Sequence, residues 1–178
     1  MASKKVIFTI GHSTRTTKEF IKILKAFEIE ALVDIRHYPG SRYCPQFGKA
    51  RLRANLLRNN IEYVHLESLG GRRKAEKNSE LNAGWRSLQF RGYADYMQTN
   101  EFKMGLKELN TLTKEFKVAI MCSEALPWSC HRSLVGDALL VRGFKVFDLF
   151  STKISRPHIM TAFAEVHGKK VIYPKDAS

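Results

Sequence analysis

Lys117-Val118-Ala119-Ile120-Met121 is an apolar run of strand length that leads directly into Cys122-Ser123-Glu124-Ala125-Leu126-Pro127-Trp128-Ser129-Cys130-His131-Arg132. Beyond it, Leu134, Val135, Ala138 and Leu139 recur at helical spacing. Ser129 reads as the N-cap of a helix beginning near Cys130, and Gly143 as its stop. A buried strand, a polar loop and a helix in that order make half of a βαβ unit. The succession recurs upstream. Residues 5–10 form a β-branched and aromatic run ending in Gly11-His12-Ser13. The helix after it opens on the capping pair Thr16 and Glu19 and carries Phe20, Ile23, Leu24 and Phe27. Residues 31–35 end in Asp34-Ile35-Arg36. A loop containing Pro, Gly and Ser follows through Gly48, then a basic helix with Leu52, Leu56 and Leu57 on one side.

Residues 61–65 and 145–150 read as the third and fifth strands, with helical material around 93–97 and 102–113. Pro157 near a helix start, then Ile159, Ala162, Phe163 and Val166, predicts a terminal helix, and residues 170–173 a short last strand. The expected fold is one α/β domain over residues 1–178, a three-layer sandwich with a mostly parallel sheet of about five strands. Its core spans about 5–150, with the C-terminal helix and short strand over 156–173. The stretch 66–90, with Gly70, Gly71 and Gly84, is long enough to be a lid or an excursion. Ligands of open α/β sheets bind outside the carboxyl ends of the strands. The polar clusters that close the strand runs are therefore expected to share one pocket.

The totals fit one ordinary globular domain of 178 residues. The charge is the informative total: 30 Lys and Arg against 17 Asp and Glu give +13. From Arg36 to Lys77 there are ten basic residues against Glu62, Glu67 and Glu76, a local balance of +7. Such a stripe attracts polyanions, nucleic acid above all, unless it is only a solvated basic surface. No apolar stretch approaches the ~20 residues needed to cross a bilayer, and the opening residues lack a signal-peptide core. Three cysteines at irregular spacing suit reduced thiols, so the cytoplasm is the expected location.

The loop 122–132 is the strongest candidate for chemistry. Arg132 in a first helical turn needs an anion to meet it. Either Glu124 is that partner in an internal ion pair, or Glu124 is a general acid or base, with burial raising its pKa, while His131 or Arg132 grips substrate. Cys130 at a helix start would have a stabilised thiolate. Arg132 is only two residues on, however, not in a Cys-x5-Arg cradle, and Cys122, Cys130 and His131 match no zinc spacing. No metal site is expected, and no cofactor is implied. Gly11, His12 and Ser13 offer close backbone approach and donors, although Thr14 and Thr16 also suit simple capping. Asp34 either orients Arg36 or acts in the pocket. Arg36, Arg42, Tyr43 and Phe47 set guanidinium groups beside rings, which suits phosphates and stacked bases. Gly70-Gly71-Arg72-Arg73 repeats flexible backbone plus cations, and Trp85 and Tyr93 are rings for stacking or for the core.

These motifs together resemble the domain-of-unknown-function 488 family. Those that carry the likeness are Thr9-Ile10-Gly11-His12-Ser13; Leu32-Val33-Asp34-Ile35-Arg36 with Pro39 and Ser41-Arg42; Leu69-Gly70-Gly71-Arg72; Phe90 with Tyr93-Ala94; and Met121-Cys122-Ser123-Glu124 with Cys130-His131-Arg132. They run in the family's order from about Ile7 to Phe150, with Ser123 where alanine is commoner. The resemblance implies a compact α/β domain with its motif residues gathered on one side. It supplies no reaction.

The residues point to a nucleic-acid- or nucleotide-processing enzyme, a hydrolase or lyase of N-glycosidic or phosphodiester bonds. Glu124 is the expected acid/base, assisted by His12 or His131. Gly11, Ser13, Asp34, Arg36, Arg42, Gly70, Gly71, Arg72, Cys130 and Arg132 are the expected binding residues. The expected partner is nucleic acid or a phosphate-bearing small molecule, with no membrane. The alternatives are a non-catalytic nucleic-acid-binding module and cysteine-based sulfur or phosphoryl transfer.

Overall fold

The computed structural model describes residues 5–76 and 79–176. Its strands are β1 (Val6–Gly11), β2 (Ala31–Asp34), β3 (Glu62–His65), β4 (Val118–Cys122), β5 (Lys145–Leu149), β6 (Ser155–Pro157), β7 (Glu165–His167) and β8 (Lys170–Ile172). The helices are α1 (Thr17–Ala26), α2 (Lys49–Arg58), α3 (Leu88–Tyr96), α4 (Asn100–Glu115) and α5 (Arg132–Leu140). The main sheet runs in the order β3-β2-β4-β1-β5-β6, and β7 pairs with β8 in a separate ribbon. The first five strands of the sheet are mutually parallel, and β6 lies antiparallel on β5.

Period-two alternation explains the three layers. Ile7, Val33, Ile120 and Val146 point to the face packed by Tyr93, Phe102, Leu109 and Leu134 of α3, α4 and α5. Phe8, Ile10, Leu32 and Met121 point to the other, where Phe20, Leu24, Leu52 and Leu56 of α1 and α2 wait. The capping pair forms as its spacing suggests: Thr16 Oγ1 accepts from the Glu19 amide at 3.1 Å, and the Glu19 carboxylate accepts from the Thr16 amide at 2.9 Å. Among the described residues no helix is long and apolar enough to cross a membrane.

Several expectations need correction. No terminal helix forms; residues 155–157 are an edge strand and residues 165–167 half of a ribbon. Ile159 is 85% exposed, so the apolar spacing there has no face to cover. Pro157, which lacks an N–H, suits an edge strand. Ser129 caps nothing. It closes a 3-10 turn (Pro127–Ser129), and α5 begins at Arg132 with no side-chain cap. Leu57 is 47% exposed, leaving Leu52 and Leu56 as the buried side of α2. The described parts of the stretch 66–90 are stitched down rather than loose. Asp95 of α3 accepts from the Glu76 amide and the Asn82 side chain, and Trp85 packs against Phe90, Phe163 and Tyr173.

The C-terminal tail is tied to the sheet through His158. Its amide donates to the Val146 carbonyl at 2.8 Å. Its buried ring bridges Asp137 of α5, at 2.9 Å, and Asp148 of β5, at 3.3 Å. The Tyr173 hydroxyl donates to the second Asp137 oxygen at 2.8 Å. Burial alone would lower the His158 pKa, but its hydrogen bonds to the two carboxylates outweigh that and raise it to about 9. The protonated ring therefore contributes stability that is fully present below about pH 6.5 and lost as pH rises through about 9, on the order of 3 kcal/mol in all. Unfolding free energies from urea titrations at about pH 6 and about pH 10 are expected to differ by that amount, and His158→Gln to flatten the difference. A wild-type value unchanged across this range would remove His158 from the stability of the fold.

Candidate functional site

Strand register brings the loops together. Gly11 is paired with Cys122, and Asp34 with both Met121 and His65, so the ends of β1, β2, β3 and β4 adjoin. Pairing continues past the strands: the His12 amide donates to the Cys122 carbonyl at 3.0 Å and the Ser13 amide to the Ser123 carbonyl at 2.9 Å. This closeness is why residue 11 is glycine. A Cβ there would overlap the Glu124 carbonyl and crowd the Arg132 guanidinium. Gly11→Ala is expected to cost ~1–3 kcal/mol in thermal unfolding by forcing the 122–132 loop outward. An unchanged melting curve would show that the loop yields freely.

Above the joined loops lies a cavity of about 420 Å³. Its wall carries three arginines (Arg36, Arg42, Arg72), three histidines (His12, His37, His131) and one carboxylate, Glu124. The rings of Tyr38, Tyr43, Phe90 and Tyr93 also line it, and Gly71, Cys122 and Cys130 complete the relevant lining. Thus Glu124, His131, His12, Arg36, Arg42, Gly71, Arg72 and Cys130 share the cavity, while Gly11, Ser13, Asp34, Gly70 and Arg132 do not line it.

Those outside the cavity wall hold it up. Asp34, fully buried, accepts from Arg36 Nε at 2.9 Å and Nη2 at 2.7 Å, from the Arg36 amide at 3.1 Å and from the Tyr63 hydroxyl at 2.6 Å. It therefore orients Arg36, the first of the two roles considered for it. Burial, with Asp34 alongside, pushes the Tyr63 hydroxyl far above its usual range, so that it stays a donor.

Arg132 is buried and fully engaged. Nε donates to Thr9 Oγ1 at 3.2 Å, Nη1 to Cys122 Sγ at 2.8 Å and to the Glu124 carbonyl, and Nη2 to the Ala125 carbonyl at 3.1 Å. The anion expected to meet it is thus replaced by main-chain carbonyls and a hydroxyl. The Glu124–Arg132 carboxylate pair is not formed, and the guanidinium, engaged within the loop, does not line the cavity. Burial lowers its pKa to about 10, which leaves it charged at neutral pH.

The three candidate catalytic groups differ in setting. Glu124 is exposed at the cavity edge, so the burial expected for it is absent. His12 stacks on Phe47 at 4.4 Å, and its Nδ1 donates to the Ser13 carbonyl at 2.8 Å. Burial, aided by Arg36, lowers its pKa and keeps the ring neutral, leaving Nε2 as an acceptor. His131 Nε2 donates to the Ile35 carbonyl at 2.8 Å, while Nδ1 is 3.5 Å from Cys130 Sγ. Burial brings its pKa down to about 4. Gly71 lies flat against this ring, where a Cβ would approach Nδ1 to 3.1 Å.

His12 Nε2, Arg36 Nη1 and His37 Nδ1 are buried and have no hydrogen-bond partner among the described residues. All three belong to residues of this one cavity, and unmet buried polar atoms of this kind call for an explanation such as a functional role. Cys122 and Cys130 stand sulfur to sulfur, while Cys44 lies apart from them and buried. The pair's Cα atoms are 7.3 Å apart, wider than the usual ~4.4–6.8 Å of bridged cysteines. The joined loops bring them face to face. Among the described residues no group of three or more His, Cys, Asp or Glu side chains gathers into a candidate metal site.

The model of the family described as domain of unknown function DUF488 matches residues 16–139, well over half of the chain. The chain belongs to the DUF488 family. No curated protein and no solved structure matches it. The match takes in the DUF488 loops after β2, β3 and β4, while Gly11 and His12 lie before it. Sequence reasoning missed three lining residues, His37, Tyr38 and Gln89. His37 and Tyr38 had a signal, since they sit between Arg36 and Pro39 in a loop already marked. Gln89 had none.

Proposed function

We propose that this DUF488 protein is a nucleic-acid- or nucleotide-processing enzyme of the cytoplasm that breaks an N-glycosidic or phosphodiester bond. One observation carries the reading: the cavity at the strand ends bears a single carboxylate, Glu124, facing three arginines and three histidines. Arg36, Arg42 and Arg72 hold phosphate oxygens, Arg36 with its orientation fixed by Asp34. Glu124 activates water or protonates the leaving group. His12, neutral and fixed by Ser13, supplies an acceptor through Nε2. His131 and Arg132 shape the loop that carries Glu124.

The test is incubation of the protein with end-labelled single- and double-stranded DNA and RNA, with and without chelator, followed by alkali to reveal abasic sites. Cleavage or base release supports the reading. Salt-dependent binding without any product favours a second reading, a non-catalytic phosphate clamp, which the exposure of Glu124 also favours. Neither binding nor product overturns both.

A further inference from the structure

Two rings beside the cavity are held out in water. Tyr43 is 96% exposed and Tyr38 65% exposed, although both line the cavity. Neither is on a loose end. The Cys44 amide donates to Ser41 Oγ at 2.9 Å and Cys44 Sγ approaches the Ser13 carbonyl at 3.4 Å, so the backbone beside Tyr43 is pinned. Tyr38 stacks edge-on against His37 at 4.3 Å, and the Arg72 guanidinium lies 5.6 Å from its ring centre. Arg72 itself holds a left-handed backbone, φ +58°, unusual for a residue with a side chain. The backbone beside Tyr43 is thus held and the edge of Tyr38 is packed, while both rings keep faces open to water. Arg42 and Arg72 beside them pair with no carboxylate among the described residues.

We propose that the cavity receives one unpaired nucleotide of a single strand, with Tyr38 and Tyr43 stacking on bases and Arg42 and Arg72 on the adjoining phosphates. The inference rests on the nucleic-acid reading above and narrows it to strands with free bases. Rings and guanidinium groups side by side match a single strand, whose bases offer open π-faces to stack on. A duplex hides those faces and can fill a cavity of about 420 Å³ only by turning a base out of its stack. An oligomeric substrate is favoured over a free nucleotide because two exposed rings, Tyr38 and Tyr43, offer stacking to more than one base.

Fluorescence anisotropy of the full chain with a labelled oligothymidylate of about 12 nucleotides, its duplex with oligoadenylate and thymidine monophosphate tests this. The single strand is expected to bind at least about 10-fold tighter than either competitor. Tyr43→Ala is expected to weaken it about 5- to 100-fold with the salt slope unchanged, Tyr43→Phe to restore it, and Arg42→Ala to reduce the salt slope by about 0.7. Both side chains are exposed, so these variants keep the fold. Duplex or mononucleotide binding as tight as the single strand overturns the inference. So does an unaffected Tyr43→Ala beside a weakened Arg42→Ala, which leaves the broader nucleic-acid reading standing. No binding of any of the three ligands overturns both.

Discussion

Glu124→Gln is expected to lower turnover in the proposed reaction by ~10²–10⁴-fold while leaving oligonucleotide affinity essentially unchanged. The amide keeps the size of the side chain and removes its ability to exchange a proton. No other carboxylate lines the cavity to take over that task. The local backbone should survive, because Arg132 holds the Glu124 main-chain carbonyl rather than its side chain. Single-turnover rates on a labelled strand, beside anisotropy on the same strand, separate the two effects. An unchanged rate removes Glu124 from the chemistry. Cys130→Ala is the companion variant. It should retain much of the rate, whereas its inactivation would transfer the chemistry to the Cys130 and His131 pair.

Arg132→Met should destabilise the fold by ~3–5 kcal/mol, seen as a lower urea midpoint at neutral pH. Methionine fills much of the space but leaves Thr9 Oγ1 and the carbonyls of Glu124 and Ala125 without their donor. Thr9 also donates to Asp148 at 2.5 Å, and Asp148 meets His158, so the loss reaches the β5 edge of the sheet. Arg132→Lys should recover little, because one ammonium cannot reproduce a planar fork spread over several acceptors. Arg42→Ala is the contrast. That side chain is exposed, and its loss should leave stability within about 0.5 kcal/mol. If Arg132→Met were as benign, the guanidinium would not be what holds the loop.

The fold was legible where burial imposes a period. The alternation of Ile7 with Phe8 and of Leu32 with Val33 assigns each to a face, and the strand–helix order then implies the parallel sheet. The C-terminal region was misread for the converse reason. Ile159 and Val166 carry helical spacing but lie exposed, and of that set Phe163 packs, against Trp85 and Tyr173, without a helix. At the site, the convergence of loops after β1, β2 and β4 followed from the expected topology alone. The role of Arg132 did not, because two of its four acceptors are main-chain carbonyls, which every residue possesses and none advertises. Likewise Tyr63 and Asp34 are 29 residues apart, and only the β2–β3 register sets them side by side.

The central position of β1, with β4 on one side and β5 on the other, bears on how the DUF488 region is to be cut out and produced. The family match begins at residue 16 and stops at residue 139. A fragment trimmed to those limits would lose the middle plank of the sheet, together with His12 and the Asp148 and His158 anchors. The remaining β3-β2-β4 sheet would present the bare border of β4 to neighbouring molecules, a recipe for insoluble material. For this protein the unit of heredity recognised by similarity is smaller than the unit that can stand alone.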